Sequence, residues 1–278
     1  MANNVNYTLN SSMYDPVRKL FSYKLPIQQD FRSRKVSMVY CSIYKQFFNI
    51  TKAYNNNTFS ITWINGTVYN FTFPDGYYEI SDINAYITYE MFQNGLYCNN
   101  SSASVQIINF IQLLVNATQY GSQLNMYPVP TASQAIALGY TLPAGSTWAF
   151  PSVAKCPTIT FSTNFGLLFG FVTGTYGGAS VTTSLYSTIC PQISLVNNLI
   201  ILTNLINSSY TTPSNVLTAM PVVGAFGSLL VQSNGQLLYN NIASNMFSEI
   251  TVSFSDQNLN ALAILDTEIC IILSIVDL

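Results

Sequence analysis

Histidine is absent from the chain, and with it go Ser-His-Asp and Cys-His relays, His-ligated zinc and haem, and the usual protonation switch near neutral pH. Cysteine does not replace it. Cys41, Cys98, Cys156, Cys190 and Cys270 are far apart, odd in number and contain no C-x-x-C pair. That pattern argues against a zinc knuckle and a disulfide scaffold, and it suits a reducing compartment. Long apolar runs are missing as well. Residues 269–276 are interrupted by a serine and residues 222–231 by glycines and a serine, well short of the ~20 residues a membrane span needs. Residues 165–181 lack charge but carry five glycines, which makes a poor helix. Residues 1–12 are polar and rich in asparagine, without the basic head and apolar stretch of a secretory signal. No integral membrane span is expected.

Charge is the scarcest property. Only 7% of the 278 residues are charged, against roughly a quarter in an ordinary soluble domain, and the net charge is −2. So little repulsion favours association. The charges are also unevenly placed. Residues 1–52 hold Arg18, Lys19, Lys24, Arg32, Arg34, Lys35, Lys45 and Lys52 against two acids, a net of +6, and the remainder carries −8. Between Glu90 and Glu249 the one charged residue is Lys155. A surface this bare is either wetted by Asn, Ser and Thr or covered by neighbouring subunits, and composition and low net charge together favour the second. Residues 1–35 read as a basic N-terminal arm that could reach an acidic inner partner or the genome; removing them is expected to leave the rest folded.

Strand signals dominate what is present. Phe59, Ile61 and Trp63 alternate with polar residues, as do Tyr69, Phe71 and Phe73 across Asn65-Gly66. A two-residue loop would send the two aromatic rows to opposite faces. A three-residue loop of Asn65 to Thr67 keeps them together and pairs Trp63 with Tyr69, Ile61 with Phe71 and Phe59 with Phe73. After the Pro74-Asp75-Gly76 turn, Ser81 is positioned to cap a helix with Ile83, Tyr86, Ile87 and Met91 on one face, ended by Asn94-Gly95. Residues 105–115 read as one strand with Val105, Ile107, Ile111, Leu113 and Val115 inward. Further strands are expected near 158–162, 194–205, 227–232, 249–254 and 268–277, and the last is apolar on both faces as a central strand should be. Pro128, Pro130 and Pro143, with Pro151 just beyond, and a short helix at 133–138 mark residues 116–150 as a surface excursion. The expected class is all-β: an antiparallel sandwich of about eight to ten strands with one or two short helices in connections. With no clear linker visible, residues 36–278 read as a single domain.

Three segments together resemble a known family. They are residues 36–91 with Phe73-Pro74-Asp75-Gly76-Tyr77-Tyr78-Glu79-Ile80-Ser81-Asp82-Ile83-Asn84, then Asn164-Phe165-Gly166-Leu167-Leu168-Phe169-Gly170-Phe171, then Ile250-Thr251-Val252-Ser253-Phe254 followed by Ser255-Asp256-Gln257-Asn258. In order and spacing they resemble jelly-roll penton and minor capsid proteins of virophages, Polinton-like viruses and related large double-stranded DNA viruses. The segments cover about a third of the chain. The resemblance implies a jelly roll, a homopentamer at icosahedral vertices, contact with the major capsid protein, and a place in the virion after assembly in the host cell.

Catalytic chemistry is thin, and no catalytic, cofactor-binding or metal residue is assigned. Asp256, Asp266 and Glu268 could pair as acid and base or bind Ca²⁺ with Asn258 and Asn260, but they also suit a turn and a strand opening. Lys155 beside Cys156 could lower a thiol pKa, although Pro151 and Pro157 favour a loop entry. The glycines at 166, 170, 174, 177 and 178 precede no Gly-Lys-Ser/Thr and form no phosphate loop. Ten N-x-S/T sequons support an alternative: a secreted or virion-surface sandwich that binds carbohydrate or a receptor.

Overall fold

The computed structural model of the chain describes residues 4–101 and 106–277. Its internal contacts divide it into two compact units, one of residues 1–47 and 196–278, the other of residues 48–195. Along the chain, β1 (Asn4–Asn10), β2 (Leu20–Asp30) and β3 (Arg34–Tyr44) belong to the first unit. The inserted unit holds β4 (Thr58–Thr62), β5 (Val68–Thr72), α1 (Ile80–Gln93), β6 (Ile111–Asn116), β7 (Gly121–Met126), α2 (Ala132–Leu138), β8 (Thr158–Phe161), α3 (Thr163–Leu167), β9 (Gly174–Gly177) and β10 (Thr183–Tyr186). The chain then returns with β11 (Asn198–Thr203), β12 (Val216–Pro221), β13 (Leu229–Ser233), β14 (Met246–Ser255) and β15 (Cys270–Asp277).

The first unit is an antiparallel sandwich. One sheet runs β1-β15-β3-β13 and the other β12-β11-β14-β2. Numbering its eight strands along the chain, the sheets read first-eighth-third-sixth and fifth-fourth-seventh-second, which is the order of a jelly roll. Alternation puts one side of each sheet into a common core. Leu9, Val36, Met38, Leu230, Ile271, Leu273 and Ile275 come from one sheet and Phe21, Leu199, Ile201, Ile250, Val252 and Phe254 from the other, all buried in one cluster. In β3 the inward residues change phase, from Val36 and Met38 to Cys41 and Ile43. The pairing with β15 accommodates this. Leu273 faces Met38 and Ile272 faces Tyr40, so Val39 is an extra residue, a bulge that keeps both halves of the strand pointing inward.

Three expectations are corrected here. The expected arm over residues 1–35 is not detached where it is described, from Asn4 on: all seven residues of β1 pair with β15, and β2 pairs along β14. The sandwich is not a single domain over 36–278, because residues 48–195 form their own unit between its third and fourth strands. Nor are residues 116–150 a surface excursion. They contribute β7, whose Leu124 and Met126 are fully buried, to the core of the inserted unit.

In that unit the sheets β9-β8-β4-β5 and β10-β7-β6, together with α1, supply one apolar cluster. Its centre is aromatic. Phe59, Phe71, Phe73, Phe161, Phe165 and Phe169 make ring contacts with centroids 4.8 to 5.6 Å apart. The hairpin has the expected three-residue loop with both aromatic rows on one face, but the loop is Ile64 to Gly66, and Phe59 faces Phe71 while Ile61 faces Tyr69. Gly66, at φ +86°, takes the left-handed third position, and Trp63 N–H donates to Thr67 C=O at 2.9 Å. In α1 the cap is Glu79, reciprocated by Asp82, rather than Ser81, and Ile80, Ile83, Ile87 and Met91 are the buried face. The expected strand over 105–115 is broken: Gln106–Ile108 pairs with Cys98–Asn100, whereas β6 pairs with β7. Val105 lies outside the described residues, and Ile107 and Val115 are exposed.

Because β1 covers one edge of β15, the sandwich depends on it. Leu9→Ala, at a fully buried site, is expected to cost about 2–5 kcal/mol of the first unit's stability. Deleting residues 1–13 should abolish its cooperative melting by near-ultraviolet circular dichroism. A truncated chain melting within ~2 °C of the full one would contradict the pairing.

Candidate functional site

The structure places the acidic candidates in turns. Asp256 is buried and accepts the Asn258 and Asn260 amides at 2.8 Å and the Asn260 side chain at 2.9 Å, so its oxygens are consumed in a local turn. Asp266 Oδ1 accepts the Glu268 amide at 2.9 Å, and the Asp266 amide donates to Gln46 Oε1. Among the described residues no three His, Cys, Asp or Glu side chains are grouped so as to hold a metal ion. Lys155 and Cys156 lie on a loop-to-strand entry, with the Lys155 and Val129 backbones bridged to each other. Burial pushes the Cys156 thiol up, away from the thiolate that nucleophilic chemistry needs, and it pushes Cys41 and Cys98 up to about 12. Gly166 and Gly170 serve packing: an added Cβ would strike Phe171 O and Ile189 O respectively.

Two sequons are structural. Asn49 is 1% exposed; its amide donates to Tyr78 O and Ile193 O at 2.8 Å, and its oxygen accepts the Tyr78 amide at 2.9 Å. Asn56, also buried, donates to Asn49 O at 2.7 Å and accepts from the Thr51 amide. Side chains so enclosed have no room for a glycan. Asn6, Asn65, Asn70 and Asn207 are exposed.

Much of the basic charge is engaged inside the first unit. Arg18 forks onto Glu249 at 2.9 and 3.4 Å, and Ser22 Oγ adds a bond at 2.7 Å to the same carboxylate. Arg32 pairs with Asp30 at 2.6 Å and Arg34 with Asp277 at 2.9 Å, while Lys45 is buried with its ammonium on Gly224 O at 2.8 Å. Lys19 and Lys24 of the same segment are exposed.

Two features of the surface stand out. The first is the outward side of the β1-β15-β3-β13 sheet toward its β13 edge; farther in, Ser37, Ser42 and Ser274 on that side are buried. The neighbouring positions Cys270, Ser42 and Val231, then Ile272 and Tyr40, then Tyr44 and Leu229 carry no charge, and Leu229 and Val231 are about half exposed. Its edge strands, NVNYTLN and LLVQS, hold neither lysine nor proline, the residues that usually blunt a free strand edge. The second is a cavity of about 380 Å³ in the inserted unit. Asn109, at the break between Gln106–Ile108 and β6, lines it together with Phe110, Tyr127, Pro130, Tyr140 and Thr182. The Asn109 amide oxygen is buried without a hydrogen-bond partner, an arrangement that costs about 1–3 kcal/mol. Sequence reading missed Asn109; its one signal was a lone amide between Ile108 and Phe110 in an otherwise apolar stretch.

The strand order defines the first unit as a jelly roll, an architecture that serves viral shells, lectins and enzymes alike. Among solved structures, the chain is similar to the mavirus penton protein, with TM-score 0.48 and 12% identity over 99% of this chain and 98% of that one. It is also similar to a chain of the Sputnik virophage particle solved by electron cryomicroscopy, with TM-score 0.44, 12% identity and the same coverage. Likeness at this level carries no argument about function. No protein-family model and no curated protein matches the chain. No helix among the described residues is long and apolar enough to cross a membrane.

The Glu249 carboxyl is held below the usual carboxylate range, first by its bond to Arg18 and then by Ser22. A depressed folded value means the stabilisation is present above the unfolded carboxylate pKa, near 4.3, and is lost as pH falls through the folded value. Thermal melts between pH 7 and pH 3 should therefore show a downward slope at the acid end that is shallower in Glu249→Gln. Equal slopes in both proteins would remove this pair from the acid response.

Proposed function

We propose that the chain is a non-enzymatic structural virion protein, a penton or minor capsid component whose jelly roll meets copies of itself around a fivefold vertex and contacts the surrounding major capsid protein. The observation that carries the reading is the sandwich with two uncharged, unblunted edge strands, β1 and β13, beside an uncharged patch of Tyr40, Tyr44, Leu229 and Val231. A chain living alone would expose both edges to indiscriminate pairing. A chain that assembles covers them, and a covered surface has little use for charge. The family resemblance of residues 36–91, 164–171 and 250–258 points the same way. The engaged turn at Asp256 and the raised Cys156 thiol favour a role without catalysis.

Native mass spectrometry of the purified chain, with electron microscopy of the same sample, tests this. A five-chain mass that dissociates when Val231→Lys and Leu229→Glu are introduced supports the reading. A monomer at high concentration that also fails to bind purified shells overturns it.

A further inference from the structure

A cleft of about 430 Å³ in the first unit has no part in the assembly reading. It lies where the chain between β11 and β12 meets the stretch before β14, and backbone pairing fixes its walls. Ile206 bridges Ile242, while Asn240 and Asn241 pair with Val36 and Lys35 of β3. Ser208 N–H donates to Ser214 C=O at 2.7 Å and Tyr210 N–H donates to Ser208 Oγ at 3.2 Å, which folds this loop back on itself. The volume suits one compact ligand.

Three features of the lining decide what kind, and solvent reaches each of them. Lys35 is half-buried and is the one charged residue of the lining. No carboxylate among the described residues pairs with it, because the acid on the neighbouring strand, Asp277, is taken by Arg34 at 2.9 Å. Exposed Asn207, Ser209 and Asn241 add amide and hydroxyl groups around that cation. Tyr210, 97% exposed, and Tyr239, 37% exposed, add two aromatic rings.

We propose that this cleft binds a nucleotide unit, its phosphate on the Lys35 ammonium, its base against the tyrosine rings, and its polar edges on the surrounding amides and hydroxyls. A free nucleotide and one unit of a single strand present the same chemistry. A lysine ammonium serves phosphate as a point charge, every base has a face that stacks on an aromatic ring, and an asparagine amide matches the donor–acceptor edge of adenine. A neutral sugar would leave the Lys35 charge unmet. A fatty acid would lay its tail on amides and hydroxyls.

The test is calorimetric titration of the full chain with adenosine 5′-monophosphate; adenosine, inorganic phosphate and sialyllactose serve as controls. A short single-stranded oligodeoxyadenylate and phosphatidylserine vesicles are titrated alongside. The monophosphate should bind in the millimolar range or tighter, and about fivefold or more above each control. Lys35→Gln should weaken it about tenfold and make the oligonucleotide's slope of log affinity against log salt shallower by about one. Tyr210→Ala with Tyr239→Ala should weaken it about tenfold, while phenylalanine at both positions should stay near the parent value. Both tyrosines are exposed, so their variants read the site even if Lys35→Gln lowers the melting temperature. An oligonucleotide that binds more tightly than the monophosphate supports the proposal with a strand as the source, and equal affinity supports it with the free nucleotide. A control that matches the monophosphate, unchanged affinity in Lys35→Gln or in the double alanine variant, or binding of the vesicles alone would overturn the proposal. The oligomer mass is measured separately, so failure here leaves the assembly reading where it stands, and the reverse holds equally.

Discussion

Strand β15 is the constraint on which the first unit rests. It comes from the last residues of the chain, yet it lies inside a sheet, with β1 along one edge and β3 along the other. Both neighbours come from the first 44 residues, so the sandwich closes only when the two ends of the chain meet. The connection between the third and fourth strands can vary in length, because closing a longer loop adds cost only logarithmically. A 148-residue unit between the third and fourth strands is compatible with that arithmetic, since it carries its own aromatic core. Pairings of such long sequence separation also imply slow folding relative to helical proteins of this size.

With so few charges, the molecule uses them locally. Arg18, in the turn before β2, ties that turn to Glu249 on β14, and Arg34 and Asp277 tie β3 to β15 across neighbouring strands of one sheet. Little is left to keep the outer faces wet. Asparagine, serine and threonine do that instead, and where they give way to Leu229, Val231, Tyr40 and Tyr44 the surface is suited to a protein partner. The scarcity of charge and the bare edge strands are thus two views of one property.

Local pattern was legible and global partition was not. Period-2 burial in 59–73 gave the hairpin, its common face and its odd loop, yet the register was off by two because Gly66 fills the third loop position rather than the middle one. The apolar seam of the last strand correctly marked it as central. The unit boundaries were hidden because the chain crosses them at Phe47-Phe48 and Leu195-Val196, where no proline, glycine or charge run marks a linker and Phe47 and Val196 are themselves buried. Strand β1 was hidden by its asparagines, although Val5, Tyr7 and Leu9 alternate on one side. Asn109 could not be found from sequence, because only the break in pairing around it turns an ordinary asparagine into an unmatched acceptor.

Amide hydrogen exchange of the intact chain tests the closure of the sandwich most directly. With both edges paired, the amides of Cys270–Asp277 should be among the slowest to exchange in the first unit, far slower than those of Leu229–Ser233 at the open edge. Exchange of the last strand as fast as that edge would show that the chain ends do not meet, and the jelly-roll account would fail with them.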